Sequence, residues 1–426
     1  MKILVIALAF NPRDGSEASI GWRAVQALLE HHHVHVLCHA KNRKVFADIQ
    51  TRDFPKNLKI SYVGEATPYH PNMLIAKILT WVGYRRWLEE AFALALELRE
   101  HDSFDLAHHI TFATWRVGSP FYGLGIPFVW GPVGGGGRVP WRFFLTLQFK
   151  TMAFEGVRNI AQVFGKLGRS VRNCTRLSSA VVAAEAGTCS ILKDVAGKRC
   201  GQVHIAPLTY FSEADLKRFE SGAKNFDGPL RLVAGGGIIG SKGYMVAFRA
   251  LKIAQRRGLR FTYEIAGYGT EKPFLMRQVA KMGLSDVVIF HDFLAGDDYR
   301  RFLDTAHIFL LPTFREAFCV TLAEAMAAGN VPIVADASAP SEIVDIESGF
   351  KIPVTTPEKM ATDIADTLIT LDENRILLAK LSIKARRRIA GAYSQTGYLR
   401  SIEQIYGFAI ESHKNAVQNS RGDTRK

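Results

Sequence analysis

Cysteine is scarce in this chain. Five are present, Cys38, Cys174, Cys189, Cys200 and Cys319, and no two form a CxxC pair. An odd, scattered set excludes a disulfide framework and a cysteine zinc site, and it suits a reducing, cytoplasmic compartment. No run of about 18 uncharged apolar residues occurs, so no membrane-spanning helix is expected. The apolar start MKILVIALAF lacks a small-residue cleavage site and is followed at once by Arg13 and Asp14. It reads as a first strand rather than a signal peptide. No DxD-type acidic cluster stands ready for a divalent cation, so no metal is expected. Acidic residues are outnumbered, 40 Asp+Glu against 54 Lys+Arg, for a net charge of +14. That balance implies an anionic partner: nucleic acid, acidic lipid or a phosphorylated small molecule.

With 426 residues, 48% of them hydrophobic, the chain suits two domains of about 200 residues each. Short apolar runs alternate with helical patterns. In the first half, strands are expected at Lys2–Ala9, Val34–Cys38, Leu58–Val63, Leu106–Ile110, Pro127–Trp130, Val181–Ala184 and Val203–Pro207, with helices at Ile20–His31 and Ala91–Arg99. The pattern restarts at Leu230–Ala234. It continues through Phe261–Ala266, Val287–Phe290, Ile308–Leu311 and Val331–Ala335, with helices at Met245–Arg256 and Val320–Ala328. Apolar strands separated by helices imply parallel sheets covered on both faces, hence an α/β fold of two Rossmann-like domains. The expected division is 1–210, a polar linker 211–229, a second domain 230–390, a helix over 391–413 and a disordered tail 414–426. The first 210 residues carry 25 Lys+Arg against 15 Asp+Glu, so most of the basic surplus lies there.

Ligands of open parallel sheets bind beyond the carboxyl ends of the strands. The richest such segment is Leu310–Val334, LLPTFREAFCVTLAEAMAAGNVPIV. A helix starting near Val320 leaves Glu316 in the loop, free to approach a sugar ring. Glu324 then lies about one turn in and can accept from two ribose hydroxyls. The amides of Phe318, Cys319 and Val320 form a helix N-terminus suited to a diphosphate. Leu232–Met245, LVAGGGIIGSKGYM, runs a strand into glycines that admit a phosphate, with Gly237 among them and Lys242 as a point charge. Gly15 and Ser16 follow the first strand, where they suit either a ligand-facing turn or a helix N-cap. His108 and His109 alternate along a strand, so at most one should face a cleft. Four glycines at 134–137 in WGPVGGGGRVP suit a mobile or ligand-hugging loop.

Together these segments resemble glycosyltransferase family 4, the retaining GT-B enzymes, over nearly the whole chain. The Glu-x7-Glu segment with AMAAGNVPIV is the most specific part, and Glu342 in SEIV fits a further family Glu. The combination of DGSE, HHITF and WGPVGGG resembles a subset that assembles bacterial exopolysaccharides and surface glycans. The resemblance implies a nucleotide-sugar donor, UDP- or GDP-linked, with no cofactor and a glycan or lipid-linked acceptor. By it, Lys242 binds the donor diphosphate, Glu324 the ribose and Glu316 the transferred sugar, with His108 or His109 near the anomeric centre. Three positions depart from the pattern. Gly237 stands where the family has an Arg, for which Arg138 or Lys272 are possible substitutes. Ser338-Ala339 replaces the usual Gly-Gly, and Ile110 occupies the place where a cleft His often sits.

Met73–Trp87 and Trp141–Arg172 mix aromatic, aliphatic and basic residues, which suits either an interfacial helix on an anionic membrane or a core helix with a solvated basic face. Two other enzyme readings are a GT-B nucleotide-sugar epimerase or hydrolase, and a third reading is an inactive glycosyltransferase-like binding protein. No recognition motif interleaves the basic residues, so nucleic acid is not an expected partner.

Overall fold

The computed structural model describes residues 1–12, 17–49, 54–64, 73–112, 114–219 and 224–423. Seven strands build the first sheet: β1 Lys2–Ala7, β2 His33–His39, β3 Leu58–Val63, β4 Leu106–Thr111, β5 Phe128–Val133, β6 Ala180–Ala183 and β7 Val203–Ile205. Their order is β3-β2-β1-β4-β5-β6-β7. Six more build the second: β8 Leu230–Gly235, β9 Phe261–Ala266, β10 Val288–His291, β11 Ile308–Leu311, β12 Val331–Ala335 and β13 Phe350–Ile352. They lie in the order β10-β9-β8-β11-β12-β13. Adjacent strands pair in parallel in both sheets. β4 (LAHHIT), β5 and β12 are buried along their whole length, as strands covered by helices on both faces must be. Each sheet changes direction of growth beside its first strand, between β1 and β4 and between β8 and β11. Such a switch point leaves a crevice at the carboxyl ends.

The two domains exchange elements. The helix Gln395–Asp423 leaves the second domain, and its Tyr398, Ile402 and Tyr406 join the core of the first with Val5 and Val182. In return, Phe143, Phe144 and Leu147 join the core of the second. The Phe143 and Phe314 rings sit 4.5 Å apart. A buried aromatic or aliphatic side chain stabilises by about 1.5–3 kcal/mol, so these crossings bind the domains firmly. The connection after Tyr210 also holds structure. Ser212 caps the short helix Glu213–Arg218 through a capping box with Asp215. Asp215 accepts from Arg23 at 2.6 Å, and Lys224 donates to the carbonyls of Leu303 and Asp304 at 2.8 and 3.1 Å. The expected disordered tail from 414 is corrected: the helix continues to Asp423. Extending an established helix adds one hydrogen bond per residue fixed, so even the exposed turns at 414–419 remain helical.

Candidate active site

The two crevices face each other across a cleft of about 600 Å³. Ile110 and Thr111 at the end of β4 and Phe112 after it line the cleft, and Gly134 and Gly135 line it after β5. Glu316, Phe318 and Glu324 approach from the second domain.

The helix Val320–Ala327 begins where the loop after β11 ends, with Cys319 as N-cap. Glu316 therefore lies outside the helix. Its backbone N–H donates to Ser338 Oγ at 3.1 Å, and its carboxylate pairs with Lys242 Nζ. Both side chains are largely buried, and desolvation holds the Lys242 ammonium below its ordinary pKa. Glu324 lies on the helix face turned to the cleft. Tyr299 Oη donates to its Oε2 at 2.8 Å, yet burial wins and pushes its pKa up to about 6. Phe318 lines the cleft, Val320 is exposed at the helix start and Cys319 is buried. The three neighbouring amides thus head the helix beside Lys242 and Glu316.

Gly236 has φ +116°, and a Cβ there would sit 4.0 Å from Lys242 Nζ. The turn after β8 therefore brings bare backbone up to the ammonium. Gly237 is exposed with open space around it, so the position where the resembled family has an Arg is unfilled. Lys272 does not substitute: it donates to the His291 carbonyl at 3.0 Å and to Asp292 at 2.6 Å. Arg138 is exposed and does not line the cleft. The cation that bears on Lys242 is Arg315, whose charge depresses the lysine further.

The histidine assignment is corrected. His108 and His109 are fully buried, and neither lines the cleft. His108 Nε2 lies 2.6 Å from the Gly131 carbonyl oxygen, which can only accept. Nε2 therefore carries the proton, and Nδ1 accepts from the Tyr406 hydroxyl at 2.7 Å. His109 Nε2 faces the Thr111 carbonyl at 3.2 Å. Burial lowers their pKa values to about 4 and about 3, so both are neutral core residues. A strand sandwiched between helices sends both of its faces into cores, and alternation alone then brings neither residue to the cleft. Gly15 and Ser16 lie outside the described residues.

The four-glycine loop is pinned rather than slack. Gly136 N–H donates to Thr188 Oγ1 at 2.8 Å, and Gln162 and Arg158 donate to the Gly135 and Gly137 carbonyls. A Cβ on Gly136 would come within 2.6 Å of Thr188, so the close approach requires glycine. Sequence reading missed Tyr299, Arg23 and Asp215 as cleft residues or their supports, because none stands in a motif. Glu342 lines a separate cavity of about 660 Å³ beside Arg388.

Residues 219–388 match the family described as Glycosyl transferases group 1. The amylovoran biosynthesis glycosyltransferase AmsK of Erwinia amylovora is 29% identical over 184 residues, 42% of this chain and 44% of that protein. The chain spans less than half the length of the first curated relatives it matches. Among solved structures, HepE of Anabaena in complex with UDP superposes with a TM-score of 0.62 at 14% identity, covering 95% of this chain and 99% of that one. The lipopolysaccharide outer core galactosyltransferase WaaB gives 0.59 at 14%, over 97% and 99%. At such identities the likeness is one of fold: two Rossmann-like domains face each other across a cleft, and the architecture is GT-B.

Proposed function

We propose that this chain is a retaining glycosyltransferase that takes a sugar from a UDP- or GDP-sugar and places it on a glycan or lipid-linked acceptor in surface-polysaccharide assembly. One observation carries the reading: Lys242, Glu316 and Glu324 converge with a helix N-terminus at the carboxyl ends of the second sheet, and Glu316 and Glu324 line the cleft. Lys242 and Glu316 neutralise each other across a direct contact. A donor diphosphate at the helix amides draws the ammonium to itself and frees Glu316 for the hydroxyls of the transferred sugar. Lys242 then meets charge that grows as the anomeric C–O bond breaks, so its contribution is largest in the transition state. The polysaccharide context rests on what AmsK is named for.

Thermal shift against nucleoside diphosphates and nucleotide sugars is the direct test. A ligand at 100 times its Kd stabilises by about 2.7 kcal/mol. One nucleotide is expected to stand out, and its sugar is expected to be released only when an acceptor is added. Conversion of the donor without acceptor would favour an epimerase or hydrolase. No response to any nucleotide would remove the enzyme reading altogether.

The reading includes an anionic membrane surface, and its basis lies in one helix. Phe149–Gly165 is turned inside out. Glu155, Asn159 and Gln162 are buried, whereas Phe149, Val157 and Phe164 are 76%, 70% and 65% exposed. Lys150, Arg169 and Arg172 lie exposed beside this apolar face. Apolar surface flanked by cations suits insertion at the headgroup level of an acidic bilayer. The other basic-aromatic stretch is less suited. Trp87 is buried and donates to the Val63 carbonyl at 3.1 Å, although Arg85 and Arg86 are exposed. The side chains of Lys77 and Trp81 lie outside the described ones. Among the described residues no helix is long and apolar enough to cross a membrane. Replacing Val157, Ile160 and Phe164 by Ser is expected to abolish co-sedimentation with anionic vesicles while leaving the Tm unchanged within a degree or two. Unaltered vesicle binding would return the face to another partner.

A further inference from the structure

The seam between the domains carries a cluster of cations beside the donor site, and one of them, Arg315, also bears on Lys242. Arg116 follows the buried Trp115, Arg158 projects from the inner face of the Phe149–Gly165 helix, and Arg315 precedes Glu316. Arg315 Nη2 bonds Glu155 Oε1 at 2.6 Å, and Arg158 Nη2 donates to the Gly135 carbonyl at 2.9 Å. The Arg116 guanidinium has no acceptor among the described residues. Its Nε and Nη2 are buried and unpartnered, as are Nε of Arg158 and Nε of Arg315. Glu155 is the carboxylate bonded within the group. Glu185, whose charge also reaches Arg158, spends its oxygens on the Gly187 and Thr188 amides.

Burial depresses the pKa of Arg116, and it brings that of Arg158 to about 10; the charge of Arg315 adds to both. Mutual repulsion of half-buried cations with idle donors destabilises the fold. Such an arrangement persists where an anion completes it, and planar guanidinium forks match phosphate oxygens.

We propose that Arg116, Arg158 and Arg315 form a subsite for the phosphate or diphosphate group of the acceptor. The assignment to the acceptor rests on the proposed function, which gives the donor to Lys242 and the helix amides of the second domain. Arg116 and Arg158 belong to the first domain, and Arg158 holds the glycine loop whose Gly134 and Gly135 line the cleft. The helix that supplies Arg158 turns its apolar side outward. A phosphate carried on a lipid therefore has both its anchor and its charge met by one element.

The test uses the full chain with UDP saturating and inorganic pyrophosphate as probe, beside geranyl diphosphate. Pyrophosphate is expected to raise the Tm further in the wild type, and Arg116→Gln is expected to weaken its binding at least about tenfold. Without any anion, Arg116→Gln should melt no lower than the wild type, since it removes a half-buried charge whose Nε and Nη2 have no hydrogen-bond partner, at the loss of one contact with the Trp115 ring. Tighter binding of geranyl diphosphate than pyrophosphate assigns the group to a lipid carrier; equal binding assigns it to a soluble phosphorylated acceptor; both uphold the subsite. Equal pyrophosphate binding in Arg116→Gln and wild type overturns it, as does no pyrophosphate effect in a wild type that binds UDP. A matching loss of UDP affinity in Arg116→Gln also overturns it, by giving the cluster to the donor. A wild type that binds no nucleotide fails the proposed function instead.

Discussion

Replacing Lys242 by Ala is expected to lower turnover about 100-fold or more, with a smaller loss of donor affinity. The ammonium is positioned before the reaction and shielded from water, where removing one such electrostatic contact costs on the order of 10²–10³ in rate. It sits against the bare backbone of Gly236 and in contact with the Glu316 carboxylate. Removing one member of a buried pair leaves the other charge uncompensated, at about 3–5 kcal/mol, so Lys242→Ala is also expected to melt at a lower temperature. The double variant Lys242→Ala/Glu316→Gln separates the two effects. It removes both charges, so stability should recover while turnover stays low. Recovery of turnover together with stability would mean that the pair only holds the fold. Full activity in Lys242→Ala would place the chemistry elsewhere.

Replacing Glu324 by Gln is expected to weaken nucleoside diphosphate binding about 10- to 100-fold. A hydrogen bond to a charged acceptor contributes about 1.5–3 kcal/mol, and the amide keeps the shape without the charge. The effect carries a pH signature. Burial has raised the Glu324 pKa from its ordinary 4.5 to about 6. Below pH 6 the free protein holds Glu324 protonated, so nucleotide affinity should fall from pH 7 to pH 5 in the wild type and stay flat in Glu324→Gln. Stability runs the opposite way. The folded state binds this proton more tightly than the unfolded chain, so the contribution of Glu324 to stability declines as pH rises from about 4.5 to about 6. At pH 7 the ionised, buried carboxylate is a liability in the absence of ligand. Glu324→Gln should then melt about 2–4 °C above the wild type. Isothermal titration across pH 5–7 and melting at both ends measure these effects. Equal affinities for wild type and variant would remove Glu324 from the ribose site.

Much of the architecture was open to sequence reading because burial on both faces of a parallel strand leaves an apolar run whatever its neighbours are. β11 and β12, buried along their whole length, fall where those runs lie. The relation of Glu316 to Glu324 was equally legible. Residues eight apart on one helix are rotated by about 80° from each other, and the apolar sequence after Cys319 marks where the helix begins, which leaves Glu316 in the loop. Local periodicity carries that information within a dozen residues.

Other features depend on groups far apart in the chain. His108 and His109 look alike in sequence, yet His108 is held by Gly131 and by Tyr406, the latter 298 residues away, whereas His109 faces the Thr111 carbonyl. The Phe149–Gly165 helix has ordinary amphipathic periodicity, which identifies two faces without saying which is inside. Its polar face is inside because the glycine loop offers carbonyls and Arg315 offers a charge, at a separation of 160 residues from Glu155. Tyr299 holds Glu324 from another helix. Composition and periodicity determine which segments become strands and helices and where ligand-bearing turns fall. Whether a polar side chain meets a ligand, a core partner or another domain is decided by contacts closed over hundreds of residues, since desolvation and hydrogen bonding act at a few ångströms in space.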